Sequence, residues 1–179
     1  MDGLVSLLPQ PHYDQVLGLW DELEQKFGLR GIRVTPYPHF SWQIADCYDS
    51  PRLQTALEQL AARSQPFTVE TVGLGLFTGE APVLYVPVVV SAQLADFHRQ
   101  VWAAVSGLGS AVSPYYAPDH WVPHISLAYE DWTPELVGPV MREMASRSFN
   151  WRFEVNNFSF IYEPCGTVGE LMVTIPFKG

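Results

Sequence analysis

The sequence is poor in charge, and poorest in positive charge. Charged residues make up 16% of its 179 residues, and ten Lys and Arg stand against nineteen Asp and Glu, giving a formal net charge of −9. Proteins that follow a long nucleic acid usually carry a basic stripe, because neutralising phosphates releases counterions. Here the densest basic pair is Arg30 and Arg33. The composition argues against binding of long RNA or DNA but is compatible with a nucleotide or RNA end in a pocket.

Cysteine and long apolar runs are also scarce. Cys47 and Cys165 form no CxxC pair and have no metal-ligand spacing, so we expect two buried, reduced thiols. No apolar run approaches the ~18 residues of a membrane-spanning helix. The apolar stretch near the N-terminus is too short for a signal peptide and follows Asp2. We therefore expect a cytoplasmic monomer with no membrane partner.

Hydrophobic residues are plentiful, at 47% of the chain, which is typical of a folded domain with a sizeable core. Helical periodicity predicts helices over 14–29, 50–64, 92–105 and 133–147. Alternation and β-branched residues predict strands over 4–8, 39–45, 67–77, 83–90, 124–129, 151–162 and 171–177. Ser50 is the expected N-cap of the second helix, with Pro51 at its first position. Gly28 or Gly31 is expected to end the first helix.

The second half of the chain resembles the first. Placing His39 on His124 aligns PHFS with PHIS, at an offset of 85 residues. In the same order, and at offsets of 82 to 85, segment 19–20 falls on 101–102, Ser50-Pro51 near Thr133-Pro134, and 67–70 on 151–154. Chance agreement between two α+β segments is the alternative, but four ordered matches favour a duplication.

Two similar halves predict one bilobal α+β domain over residues 1–179. The repeats would span approximately 1–80 and 81–165, and the C-terminal strand 171–177 would complete a sheet. We expect a pseudo-two-fold arrangement of two antiparallel sheets that flank a central cleft, with helices on the outer faces. The equivalent strands that carry His39 and His124 would then face each other across the cleft.

Each PHxS motif begins a predicted strand, and side chains alternate between the faces of a strand. His39, Ser41 and Gln43 are therefore expected on one face, as are His124, Ser126 and Ala128 in the second motif. Two imidazoles can divide the work of general base and general acid near neutral pH. Hydroxyl groups can donate to phosphoryl oxygens, and in-line displacement at phosphorus needs attacking and leaving groups on opposite sides. No metal or other cofactor is needed for such chemistry.

PHFS and PHIS resemble the paired His-x-Thr/Ser motifs of the two-histidine phosphoesterase superfamily, which includes bacterial 2'-5' RNA ligase-like proteins and cyclic nucleotide phosphodiesterases. Segment 115–128 is similar to the second motif of that family. The resemblance implies a bilobal α+β fold, catalytic His39 and His124, and phosphate-binding Ser41 and Ser126. It implies metal-independent action on 2',3'-cyclic phosphates or related phosphodiesters, with a possible reverse 2'-5' ligase reaction.

Aromatic residues precede both motifs, and a ring at the rim of a cleft can stack on a base or simply pack there. The candidates for substrate stacking are Tyr37, Tyr115, Tyr116 and Trp121. Of the other histidines, His98 is expected at the surface of a helix, beside Arg99, and His12 in a loop. Arg30 and Arg33 are expected to be solvated, although either one could reach a substrate phosphate.

Three functions stay open at this level. The first is a metal-independent phosphodiesterase for small nucleotides or RNA ends, since no basic residue lies beside either motif. The second is a non-catalytic module that binds a nucleotide or phosphate in the same cleft. The third is a metal site built from His39, His120 and His124, which Pro123 disfavours because it interrupts the helix such a spacing would need.

Overall fold

The computed structural model of the chain describes residues 1–80, 82–163 and 167–179. Within these ranges, the helices are α1 (His12–Phe27), α2 (Ser50–Ala61), α3 (Ala92–Val105) and α4 (Pro134–Met144). The strands are β1 (Asp2–Leu7), β2 (His39–Ala45), β3 (Cys47–Tyr48), β4 (Phe67–Glu70), β5 (Gly75–Phe77), β6 (Val83–Pro87), β7 (Gly109–Ser110), β8 (His124–Ala128), β9 (Arg152–Val155), β10 (Asn157–Tyr162) and β11 (Glu170–Pro176). Short 3-10 turns span Gly31–Val34 and Pro114–Tyr116.

Two main sheets form the scaffold. One has the order β11-β10-β1-β2 and the other the order β5-β6-β8, and all their strand pairs are antiparallel. Two short ribbons, β3-β7 and β4-β9, accompany them. Helices α2 and α3 pack against the four-stranded sheet, whereas α1 packs against β8 and α4. The predicted α+β class with antiparallel sheets is confirmed, and the two ribbons are additional.

The two halves of the chain use the same topology. Strand β1 of the first half pairs with β2 and with β10 of the second half, and β6 of the second half pairs with β8 and with β5 of the first half. The helices are exchanged, since α1 packs against β8 and α3 against β2. Strands β2 and β8 are edge strands of different sheets and contact each other.

Local interactions moved several predicted boundaries. Asp49 is the N-cap of α2 in place of Ser50, because its side chain accepts a hydrogen bond from the Arg52 N–H at 3.3 Å. Gly28 ends α1 with a left-handed φ of 75°, as expected. The predicted strand 67–77 breaks into β4 and β5 around Gly73, which has a φ of 58°. Strand β6 ends at Pro87, because the N–H of Val89 donates to Glu70 and so leaves the sheet.

Two expectations about burial were wrong. Cys47 is exposed, since β3 belongs to a two-stranded ribbon at the surface, while Cys165 lies outside the described residues. His98 is only 1% exposed, because it shares the buried face of α3 with Leu94 and Val101. His12 is the first residue of α1 and is not in a loop. Among the described residues, no helix is long and apolar enough to cross a bilayer.

Candidate active site

Both PHxS motifs open into one cavity of about 540 Å³. Its walls include His39 and Ser41 from β2 together with His124 and Ser126 from β8. The two strands begin at the histidines, and the prolines before them are buried in the preceding loops. The fold therefore brings together the four side chains that the motifs predicted.

Each imidazole is fixed by a hydrogen bond to the backbone two residues earlier. His39 Nδ1 lies 2.5 Å from the Tyr37 carbonyl oxygen, and His124 Nδ1 lies 2.7 Å from that of Val122. A carbonyl only accepts, so Nδ1 carries a proton in both rings. In the neutral ring, Nε2 then has a free lone pair, and in the protonated ring it has a proton to give. Both rings can therefore exchange protons with a bound molecule through Nε2.

Burial opposes the charged form of both rings. The pKa of His39 is lowered to about 4, chiefly by burial and to a smaller extent by the neighbouring His124, while the hydrogen bond to the Tyr37 carbonyl partly offsets both. Burial also lowers the pKa of His124, which its hydrogen bond to Val122 partly offsets. The rings of Phe77 and Tyr85 contact His124 with centroid distances of 4.9 and 5.1 Å. In the free protein at neutral pH, both imidazoles are therefore mainly neutral.

A third hydroxyl joins the two serines. Tyr116, in the 3-10 turn Pro114–Tyr116, lines the cavity, where its hydroxyl interacts with the side chain of Ser41. Burial raises the pKa of Tyr116 to about 12, so its hydroxyl stays protonated and able to donate. Tyr116 thus contributes its hydroxyl to the site, whereas the sequence suggested only its ring.

A β-bulge follows each motif at the same relative position. The register shifts at Trp42, where Leu4 pairs with Gln43 but Val5 with Ser41, and at Leu127, where the partners of Leu84 and Tyr85 are Ala128 and Ser126. A bulge inserts one residue and reverses the alternation beyond it. The predicted placement of Gln43 and Ala128 beside the serines is therefore wrong, since both are buried away from the cavity. The residues that line the cavity instead are Ile44 and Tyr129.

The remaining walls contain apolar, hydroxyl-bearing and acidic residues, and no Lys or Arg is found among the described lining residues. The acidic residues are Glu130, Glu163 and Asp2, but the carboxylate of Asp2 is buried and accepts a hydrogen bond from the Tyr48 N–H. Glu163 accepts a hydrogen bond from Thr35 at 3.3 Å. Tyr129 has a raised pKa, first because it is buried and then because Glu130 is close. Of these three cavity residues that the sequence analysis missed, Glu163, Glu130 and Tyr129, only Tyr129 could have been found from the sequence. It follows Ile44 by 85 residues, the same offset that separates His39 from His124.

Two of the four predicted stacking residues do not line the cavity. Trp121 is 8% exposed and stacks on His98 with a centroid distance of 3.8 Å. Tyr37 directs its hydroxyl to the N–H of Leu171 at 3.3 Å and serves His39 only through its backbone carbonyl. Tyr115 is 79% exposed and does line the cavity, so of the residues proposed for stacking it has the most accessible ring.

The other candidate polar residues lie elsewhere. Arg33 is paired with Asp21 and Glu24, and Arg30 with Glu24, so both guanidinium groups are held near α1. His120 is exposed and does not line the cavity. The described ranges contain no group of three or more His, Cys, Asp or Glu side chains arranged to hold a metal ion. The structure therefore does not bring His120 to the other two histidines.

Known proteins share this architecture. Residues 9–164 match the family model described as the 2'-5' RNA ligase superfamily. Among solved structures, TT0787 of Thermus thermophilus is 17% identical, with a TM-score of 0.69 over 99% of this chain and 98% of that one. LigT of E. coli, complexed with 3'-AMP, is 16% identical, with a TM-score of 0.55 over 99% and 98% of the two chains.

A third similar structure is Usb1 of Kluyveromyces marxianus with uridine monophosphate, which is 12% identical with a TM-score of 0.50 over 98% of each chain. No curated protein sequence matches the chain. At these identities, the solved structures establish the fold, and the family model establishes the membership. The chain belongs to the 2'-5' RNA ligase superfamily, within the two-histidine phosphoesterases.

Proposed function

We propose that the protein is a metal-independent phosphodiesterase that opens 2',3'-cyclic phosphates or related small nucleotide and RNA-end phosphodiesters. The observation that carries the proposal is the convergence of two imidazoles, each with Nε2 free for proton transfer, and two serine hydroxyls in one cavity. Family membership supports phosphoesterase chemistry. The nucleotides bound to LigT and Usb1, 3'-AMP and uridine monophosphate, support a nucleotide substrate.

In the proposed reaction, His39 is the general base and His124 the general acid. His39 Nε2 removes a proton from water as the water oxygen attacks phosphorus. The bond from phosphorus to one ring oxygen of the cyclic phosphate breaks on the opposite side, and His124 Nε2–H protonates that oxygen. Ser41, Ser126 and Tyr116 donate hydrogen bonds to the non-bridging oxygens, where negative charge accumulates.

The environments of the two rings support this division of roles. Burial is the main cause that lowers the pKa of His39 to about 4, so the first proton to enter the pair is expected on His124. His124 also contacts the rings of Phe77 and Tyr85, and aromatic faces attract a cation. The negative charge of a bound phosphate would raise the pKa of His124 and supply the acid form with the substrate. In reverse, an RNA 5'-hydroxyl in place of water would give a 2'-5' linkage.

The acidic cavity supports small substrates with few negative charges. The imidazolium and the hydroxyl groups can compensate one phosphodiester charge, but the described walls offer no Lys or Arg for a second phosphate. Glu130 and Glu163 would repel further phosphates. We therefore propose that nucleoside 2',3'-cyclic phosphates fit better than substrates that carry additional phosphate groups or long RNA.

The test is hydrolysis of nucleoside 2',3'-cyclic phosphates by wild type, His39→Ala and His124→Ala, each with and without EDTA. We expect wild-type activity that survives EDTA and falls about 10²- to 10⁴-fold in either variant, the usual contribution of a general acid or base. Loss of activity with EDTA would contradict the metal-independent mechanism. Nucleotide binding without turnover of any phosphodiester would instead indicate the non-catalytic binding module.

A further inference from the structure

Two buried tryptophans hold the two motifs by their backbones. The Trp121 indole N–H donates to the carbonyl oxygen of Ser41 at 2.9 Å, and the Trp20 indole N–H donates to that of Ser126 at 3.0 Å. Both indoles are nearly inaccessible, with exposures of 8% and 2%. The same backbone atom of each motif serine therefore receives the same kind of donor.

The two hydrogen bonds cross between the halves of the chain. Trp20 lies on α1 in the first half and reaches the second motif, whereas Trp121 precedes β8 in the second half and reaches the first motif. Strands β2 and β8 are edge strands, so neither has a second neighbouring strand to satisfy its outward carbonyls. The indoles supply donors at this junction and link each motif to the opposite half.

Both indoles are themselves held in place. Trp121 stacks on His98 and also on Trp42, with centroid distances of 3.8 and 5.4 Å. His98 Nε2 in turn donates to the Trp42 carbonyl oxygen at 3.1 Å. On the other side, the Arg33 guanidinium lies 5.7 Å from the centre of the Trp20 ring. Such packing restricts the movement of each indole and therefore of the carbonyl group to which it donates.

We propose that Trp20 and Trp121 are positioning residues that set the separation of the two motifs and thus the alignment of both imidazoles with one phosphoryl group. The inference rests on the proposed phosphodiesterase function. In-line displacement is sensitive to this separation, because a misplacement of about 1 Å can reduce a rate by about 10²-fold. Neither tryptophan touches the cavity, so their contribution is expected in turnover more than in substrate affinity.

The test replaces each tryptophan singly by β-(3-benzothienyl)alanine, which keeps the shape of the ring but has sulfur in place of the N–H. The control is the same replacement at Trp132, which is 4% exposed and whose indole nitrogen has no hydrogen-bond partner among the described residues. Three quantities are measured: kcat and KM for a nucleoside 2',3'-cyclic phosphate, the Kd of inorganic vanadate as a mimic of the transition state, and the melting temperature.

We expect kcat to fall by about 10- to 100-fold at positions 20 and 121 with KM changed less than about threefold, and vanadate binding to weaken in parallel. The same replacement at Trp132 should leave kcat and vanadate affinity at their wild-type values. Melting temperatures that fall while kcat and vanadate affinity match the control would overturn the positioning role. A wild type that binds vanadate without hydrolysing any phosphodiester would overturn the proposed function, and the positioning role would then be decided by vanadate affinity alone.

Discussion

At the scale of single residues, proton placement decides the chemistry. Tyr37 and Val122 fix the tautomers of the two histidines through their carbonyls, and burial keeps both rings mainly neutral until an anion arrives. Because the carbonyls are bound at Nδ1, the proposed proton transfers all pass through Nε2. The roles of the two rings can therefore be separated with substrates whose leaving groups differ in their need for a proton.

The first prediction concerns the leaving group. With thymidine 4-nitrophenyl phosphodiester, the nitrophenolate departs without needing a proton, so loss of the general acid should matter little. We expect His124→Ala to recover most of its deficit on this substrate, while His39→Ala stays about 10²- to 10⁴-fold below wild type. The measurement is kcat/KM for both variants on this substrate and on a 2',3'-cyclic phosphate. Recovery in His39→Ala in place of His124→Ala would reverse the assignment.

The second prediction concerns the Tyr116 hydroxyl, which meets Ser41 in the cavity. Tyr116→Phe keeps the ring and removes one donor, so we expect kcat to fall about tenfold, equivalent to ~1.4 kcal/mol, with a small change in KM. Tyr162→Phe is the matched control, because Tyr162 is 41% exposed and does not line the cavity. Equal kcat values for the two variants would show that the Tyr116 hydroxyl takes no part.

At the scale of elements, edge strands and one short turn form the cavity. The bulges at Trp42 and Leu127 direct Ile44 and Tyr129 into it, and the turn Gly31–Val34 contributes Ile32 and Val34. This turn is held against the segment after β8, where an Asp131 carboxylate oxygen accepts a hydrogen bond from the Gly31 N–H at 2.7 Å. The close approach leaves no room for a side chain at position 31.

The third prediction follows from that approach. A Cβ on Gly31 would stand 1.9 Å from the backbone oxygen of Tyr129, so Gly31→Ala must displace the cavity wall. We expect a loss of about 1–3 kcal/mol in the free energy of unfolding, measured in urea, and a higher KM. Gly18→Ala in α1 is the control, because a Cβ there would meet no other part of the described structure within 4 Å, and it should stabilise the helix by about 0.5–1 kcal/mol. Equal stability of the two variants would refute the close contact.

At the scale of the whole molecule, much of the fold was predictable from the sequence. Alternation in 39–45 and 124–129 predicts each serine beside its histidine, and all four side chains line one cavity. The bulges at Trp42 and Leu127 were not predictable, because an inserted residue leaves no mark in the composition of a strand. Trp121 precedes His124 by three residues, yet its loop turns the ring into the core, and only tertiary contacts determine that direction.

Other misses have different physical causes. Asp2 and Glu163 reach the cavity because β1 and β10 are neighbours in one sheet, although the two residues are far apart in the sequence. His98 was misjudged because Arg99 beside it is polar, whereas the helical spacing from Leu94 to Val101 already places it on the buried face. Helical periodicity therefore predicts the burial of His98 better than its polar neighbour does. Periodicity does not predict which distant strands pair with each other.

The fourth prediction is the pH dependence of stability. Burial lowers the pKa of His98 from 6.5 to about 4, so between these pH values the unfolded chain binds a proton that the folded chain does not. The free energy of unfolding should therefore fall as the pH drops from 6.5 towards 4. His98→Gln keeps an N–H for the Trp42 carbonyl but cannot titrate, and it should remove up to about 3 kcal/mol of this fall. Urea titrations of wild type and His98→Gln between pH 4 and 6.5 measure this free energy. If it changed with pH equally in both proteins, the result would contradict a buried, neutral His98.

The fifth prediction follows from the acidic walls. A nucleoside 2',3'-cyclic phosphate with a 5'-phosphate carries additional negative charge, and we expect it to have a lower kcat/KM than its 5'-hydroxyl counterpart, most clearly at low ionic strength. Glu130→Gln and Glu163→Gln together should reduce the difference in kcat/KM between the two substrates, because they remove two carboxylates that line the cavity. A preference for the 5'-phosphorylated substrate would contradict this picture of the cavity.

We propose that His39 and His124 act on one phosphoryl group, and a crystal structure with a bound 3'-nucleotide is the sharpest test of this arrangement. We expect Nε2 of both histidines to lie about 2.6–3.2 Å from oxygens of the same phosphate, with the Ser41 and Ser126 hydroxyls also in contact. A phosphate bound by only one histidine, or bound outside the cavity, would contradict it.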